Sequence, residues 1–148
     1  MSSRLTAVLV VGLLQLLQSA DAADRVVVLV TSSDCEMETI TALDIRMVYL
    51  GLGVSYEGQN VRAFRLNNDE NLNQVFFQSV VAMSEKTYER RLLQLLLKYG
   101  RPRPRAVESP AELAAAMMEV PCNIAYMWQA DAEEYAGIKA IKVLWQEN

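Results

Sequence analysis

Val26, Val27, Val28, Leu29 and Val30, followed directly by Thr31, Ser32 and Ser33, are the stretch from which the fold can be read. An unbroken run of β-branched residues and leucine leaves no polar face, so the segment reads as a strand buried on both sides. The hydroxyl-rich triplet reads as the loop that leaves it. A strand without a solvent face must be covered by layers above and below, which points to an α/β domain.

Downstream, Thr41 and Asp44 form a capping-box pattern, and Leu43, Met47, Val48 and Leu50 follow at helical spacing until Gly51. A turn is expected at Glu57 and Gly58, then a second strand over 61–66, whose alternation is broken by the adjacent Ala63 and Phe64. Asn67 with Glu70 gives another box, and Leu72, Val75, Phe76, Ser79, Val80 and Met83 recur at helical spacing. Ser84 opens a further helix with an expected buried stripe of Tyr88, Leu92, Leu95, Leu96 and Tyr99, leaving Glu89, Arg90, Gln94 and Lys98 outside. Ser109, Pro110 and Glu112 supply a capping serine, a proline at the first helical position and a glutamate at the third, with Leu113, Ala116 and Met117 inward. Pro121 ends that helix, and 124–128 and 138–145 read as strands around an acidic turn. The order predicts a mixed β-sheet flanked by helices.

Upstream, Arg4 precedes an apolar run from Leu5 to Leu17, and Ser19, Ala20, Asp21 and Ala22 end in a small-x-small pattern, the build of a cleavable export signal over residues 1–22. The run is shorter than the roughly 20 apolar residues of a spanning helix, so no membrane span is expected after cleavage. No cysteine at the cleavage point offers lipid attachment, and a periplasmic location is expected. Residues 23–148 are the length of one domain. A net charge of −4 argues against a nucleic-acid surface, which needs a basic stripe. Cys35 and Cys122 are the only cysteines, and an oxidising compartment favours joining them; the other reading is two buried small side chains.

The sequence now resembles a known family. Tyr49, Leu50 and Gly51 are similar to a Phe-x-Gly helix end, and Glu57 and Gly58 to the Asp-Gly turn that follows it, in the phosphate-type periplasmic solute-binding proteins. Pro104, Arg105, Ala106, Val107, Glu108 and Ser109 are similar to that family's Pro-x-x-Val-x-Ser segment. Pro121, Cys122, Asn123, Ile124, Ala125 and Tyr126 are similar to its Pro-Gly-Ala-Ile-Gly-Tyr strand, with both glycines replaced, by Cys122 and Ala125. The resemblance runs from about Val26 to Leu144 and implies a compact, periplasmic-binding-protein-like (type II) α/β domain.

It also implies an oxyanion site of hydroxyls and backbone N–H groups. One set maps onto Thr31, Ser32 and Ser33, the other onto the helix start from Asn67 to Asn73, with Asn67, Asn71 and Asn73 and the nearby Arg65 as ligand-binding candidates. A helix N-terminus favours negative charge through its unpaired N–H groups and its dipole. Asp69 and Glu70 stand where the anion belongs and compete for those groups, so phosphate binding is expected to be weak or absent unless Arg62 or Arg65 compensates. Ordinary capping and a plain polar loop explain the same residues.

Arg101, Arg103 and Arg105 alternate with Pro102 and Pro104, an extended arm that fits an acidic partner or simply stops the preceding helix. The chain has no histidine, which excludes Ser-His and Cys-His nucleophile pairs and the usual zinc sites. Asp131, Glu133 and Glu134, like Asp69 and Glu70, lack an accompanying nucleophile. The expected function is therefore non-enzymatic, without cofactor or metal: a domain binding a small oxyanion, or serving as a sensing or docking module for a membrane sensor or transporter protein. The alternative is an interaction module that keeps the fold and has lost the anion site.

Overall fold

The computed structural model describes residues 25–148. The expected export signal over residues 1–22, with Arg4 and the run from Leu5 to Leu17, lies outside the described residues.

The opening run forms strand β1 (Val26–Ser32), buried along its whole length. It is the central strand of a three-stranded sheet, between β6 (Ala125–Trp128) and β7 (Ile138–Gln146), both antiparallel to it. A second pair, β4 (Phe64–Leu66) and β5 (Arg105–Val107), runs parallel and joins the first sheet through a parallel bridge between Ala63 and Ile124. The result is a mixed sheet flanked by helices.

The helix starts follow the capping chemistry. Helix α1 (Ala42–Tyr49) begins with Thr41 accepting from the Asp44 N–H. Helix α3 (Glu85–Tyr99) begins with Ser84 accepting from the Thr87 N–H, and α4 (Pro110–Glu119) with Ser109 accepting from the Glu112 N–H. Glu57 and Gly58 both have positive φ, 48° and 79°, and make the two-residue turn between the short strands β2 (Ser55–Tyr56) and β3 (Gln59–Asn60).

Several expectations are corrected. The strand predicted over 61–66 is regular only from Phe64, because Val61 donates its N–H to Val54 and Arg62 exchanges hydrogen bonds with Asn123 and Ile124. Helix α2 (Glu70–Val75) is capped by Asp69 and not by Asn67. It continues as a π-helical turn (Phe76–Val80), and the positive φ of Ala82 ends it before Met83. On α3 only Tyr88 and Leu92 of the expected stripe are buried, while Leu96 is 40% and Tyr99 68% exposed. The helix runs on past the elements it packs against.

An aromatic cluster ties the helices to the sheet. Tyr126 of β6 stacks on Phe76 at 4.9 Å, and Phe76 meets Tyr49 and Tyr88 edge to face. The Tyr88 hydroxyl donates to the Tyr49 carbonyl and the Tyr49 hydroxyl to the Phe64 carbonyl, so these two buried rings keep paired polar ends. Cys35 and Cys122 form a disulfide that fastens the loop after β1 to the start of the strand beside it.

Candidate functional site

Strand direction decides what can share a site. Val27 pairs with Trp128 and Val30 with Ala125, and β4 runs alongside β6 in the same sense. Thr31, Ser32 and Ser33 therefore lie at one end of β1, and the start of α2 lies beyond Leu66 at the other. Thr31 lies four residues along β1 from Val27, the partner of Trp128 at the level where α2 begins, so the two sets are offset by about 13 Å along the strands at the usual rise, with β6 between β1 and β4. The structure does not bring them together around one small anion.

At the first end the hydroxyls are already engaged. Thr31 donates to the Asn123 carbonyl at 2.8 Å, and Ser33 to the Ala136 carbonyl at 2.7 Å. The Ser32 hydroxyl accepts from the Cys122 N–H. Beside them opens a cavity of about 350 Å³ whose lining includes Asp34, Glu36, Tyr56, Glu57 and Cys122. Partial desolvation, reinforced by the carboxylates of Glu57, Glu36 and Glu38, raises the Tyr56 hydroxyl above its ordinary pKa. Such a field repels an oxyanion.

Cys122 links this end to the resemblance. It stands where the family places glycine and has φ +65°, the left-handed conformation that glycine adopts without cost. Its side chain is committed to Cys35. The next residue, Asn123, which sequence reasoning passed over, is buried; its carbonyl accepts from Thr31 and its side chain from the Arg62 N–H.

At the second end the α2 N-terminus is filled from within. One oxygen of Asp69 accepts from the N–H groups of Asn71 and Leu72 at 2.8 and 3.2 Å, and the other accepts from the Trp128 indole at 2.8 Å. Asn67 donates its N–H to Val107. Asp131 has its carboxyl raised by burial, then by Glu134 and Asp69, so the two acidic clusters meet at this corner. Trp128 was not among the candidates, because only the folded register shows what the indole reaches.

Arg65 points elsewhere. Its guanidinium lies over the rings of Phe76, Phe77 and Tyr88, donates to Asn73 at 2.7 Å and faces Glu89 at 3.7 Å. Glu89 also pairs with Arg103. Arg101 donates to the Gly51 carbonyl and lies near the Tyr99 ring, whereas Arg105 belongs to β5 and lies over Phe64. The arginine arm is thus laid along the flank of α3. Among the described residues no group of three or more metal-ligating side chains occurs, and no helix is long and apolar enough to cross a membrane.

The fold, a mixed sheet flanked by helices, is shared with part of two solved phosphate-transport proteins. The chain is similar to an ABC-type phosphate transport receptor from Vibrio cholerae, with a TM-score of 0.56 and 9% identity over 79% of this chain and 45% of that one. It is also similar to PstS from Borrelia burgdorferi, with a TM-score of 0.54 and 13% identity over 79% of this chain and 46% of that one. The chain therefore spans less than half the length of each of these solved structures. No protein-family model matches the sequence, and no curated protein does.

Proposed function

We propose that this is an exported, non-enzymatic domain of the solute-binding fold that works as a docking or sensing module beside a membrane sensor or transporter, and does not capture free phosphate. The observation that carries this reading is Asp69. Its carboxylate takes two N–H groups of α2 and the Trp128 indole, the donors that an oxyanion would need. The other end of β1 offers committed hydroxyls beside an acidic cavity.

Thermal melting with millimolar phosphate or sulfate tests the reading, because a ligand that binds only the folded state raises the melting temperature. No shift is expected. A rise of several degrees with phosphate, abolished by Arg65→Gln, would restore the anion-binding reading.

A further inference from the structure

The outer ridge of α3 is the feature that no site above absorbs. Lys86, Arg90, Leu93 and Leu97 follow at i, i+4, i+7 and i+11, which places them on one line of the helix, opposite the buried Tyr88 and Leu92. Leu97 is 76% exposed and Leu93 48%. Leu96 and Tyr99 extend the apolar surface along one side and around the end of the helix.

The charge around this ridge is strongly one-sided. From Glu85, where α3 begins, to Arg105 the sequence holds seven of the chain's fourteen cations and two acids, Glu85 and Glu89, in a protein of net charge −4. Glu89 is engaged by Arg65 and Arg103. On the other flank of α3 a groove of about 260 Å³ has Leu50, Leu52 and Leu95 in its lining together with Arg91 and Lys98.

We infer that this face docks on an anionic phospholipid surface, with Leu93 and Leu97 entering the headgroup region and the surrounding Lys and Arg side chains meeting lipid phosphates. The inference deepens the docking reading above by naming what is docked to. A protruding apolar ridge flanked by cations fits the interfacial amphipathic helix, whose long basic side chains reach past the apolar stripe to the headgroups. A second copy is disfavoured by charge: a two-fold pairing through this ridge brings two copies of the same basic face together, an isologous contact between surfaces of like charge. A convex ridge also asks a protein partner for a matching groove, while a fluid bilayer interface deforms around it.

The test is co-sedimentation of the purified protein with vesicles of phosphatidylcholine alone, or of phosphatidylcholine with about a quarter phosphatidylglycerol. Binding is expected to the anionic vesicles only and to weaken steeply with added salt. Leu93→Glu with Leu97→Glu should weaken it at least about tenfold, and Lys86→Glu with Arg90→Glu by a similar factor, on the usual contribution of each basic residue at an anionic surface. Both pairs are exposed, so the variants should keep the melting temperature of the parent, which shows that the fold is intact. Equal binding to neutral vesicles, binding unaffected by either pair of substitutions, or no binding at all would overturn the inference. So would self-association abolished by the leucine variants without vesicle binding, which assigns the ridge to a second copy. A phosphate-induced rise in melting temperature with vesicle binding intact would overturn only the reading of Asp69.

Discussion

Replacing both Cys35 and Cys122 by alanine should lower the melting temperature by about 15 °C, and the energetics of the bridge have two separable parts, of which the first accounts for that loss. The disulfide closes a loop across 87 residues of sequence, which the chain-entropy relation values at about 4.6 kcal/mol against a measured range of roughly 2 to 5 for native bridges. A domain of this size unfolds with an entropy of roughly 0.26 kcal/mol/K, so a loss of about 4 kcal/mol becomes about 15 °C. The second part is local. Position 122 has φ +65°, where a residue with a Cβ is disfavoured by roughly 1 to 2 kcal/mol, and alanine inherits that cost without the covalent tie that holds it in place.

Glycine at position 122 relieves the strain but adds freedom to the unfolded chain, which leaves a net gain of about 1 kcal/mol. Cys35→Ala with Cys122→Gly should therefore melt about 3 to 4 °C above the double alanine variant. Calorimetry of the purified variants, with urea unfolding as a second measure, reads both differences. A double alanine variant within a degree or two of the parent would refute the loop-closure reasoning. A glycine variant no more stable than its alanine counterpart would refute the account of Cys122.

Glu57→Asn should raise the melting temperature by about 2 to 4 °C, because Glu57 holds φ 48° in a two-residue turn for which Asn-Gly is the preferred pair. Glu57→Gln separates conformation from charge: it should give little of the gain, and an equal gain would assign the effect to the acidic cavity. Asp131 has its carboxyl raised by burial and by Glu134 and Asp69, so the fold favours its protonated form and loses stability as pH rises from the ordinary carboxylate value through the raised one. Asp131→Asn should accordingly stabilise the protein near neutral pH, by on the order of 0.5 kcal/mol after solvent screening of this part-buried group, and not at about pH 3. Urea unfolding at the two pH values checks the sign; an equal gain at both would show that repulsion is not its source.

What could be read from the sequence was local. The apolar run of β1 needs no partner to reveal that it is buried, and Thr41, Ser84 and Ser109 cap helices by bonds to N–H groups three residues away. Where two local solutions competed, a distant contact decided. Asn67 and Asp69 are both capping residues, and Asp69 caps α2 with the indole of Trp128, 59 residues later, on its second oxygen. Strand β5 was invisible because Arg105, Ala106 and Val107 pair with Phe64, Arg65 and Leu66, a partner that no periodicity announces. Leu96 and Tyr99 have the spacing of a buried stripe, but periodicity does not tell where the neighbouring layer stops.

The two candidate sets lie apart for a related reason, and their separation bears on the charge pattern. Residues that hold an anion and residues that cap a helix or finish a strand are the same types, and only strand direction tells whether two such sets converge. Here β1 runs antiparallel to both neighbours, which places the sets at opposite ends, each next to carboxylates: Asp34, Glu36 and Glu57 at one, Asp69 and Asp131 at the other. Half of the chain's cations are gathered instead on α3 and the strand approach beside it. A molecule so divided can approach a negative surface despite its net charge of −4, because fields beyond about 8 Å are screened at physiological salt and the nearest face dominates. On the reading proposed above, negative charge outside the protein is met by the basic flank of α3, while the N–H groups that open α2 are capped by the protein's own Asp69.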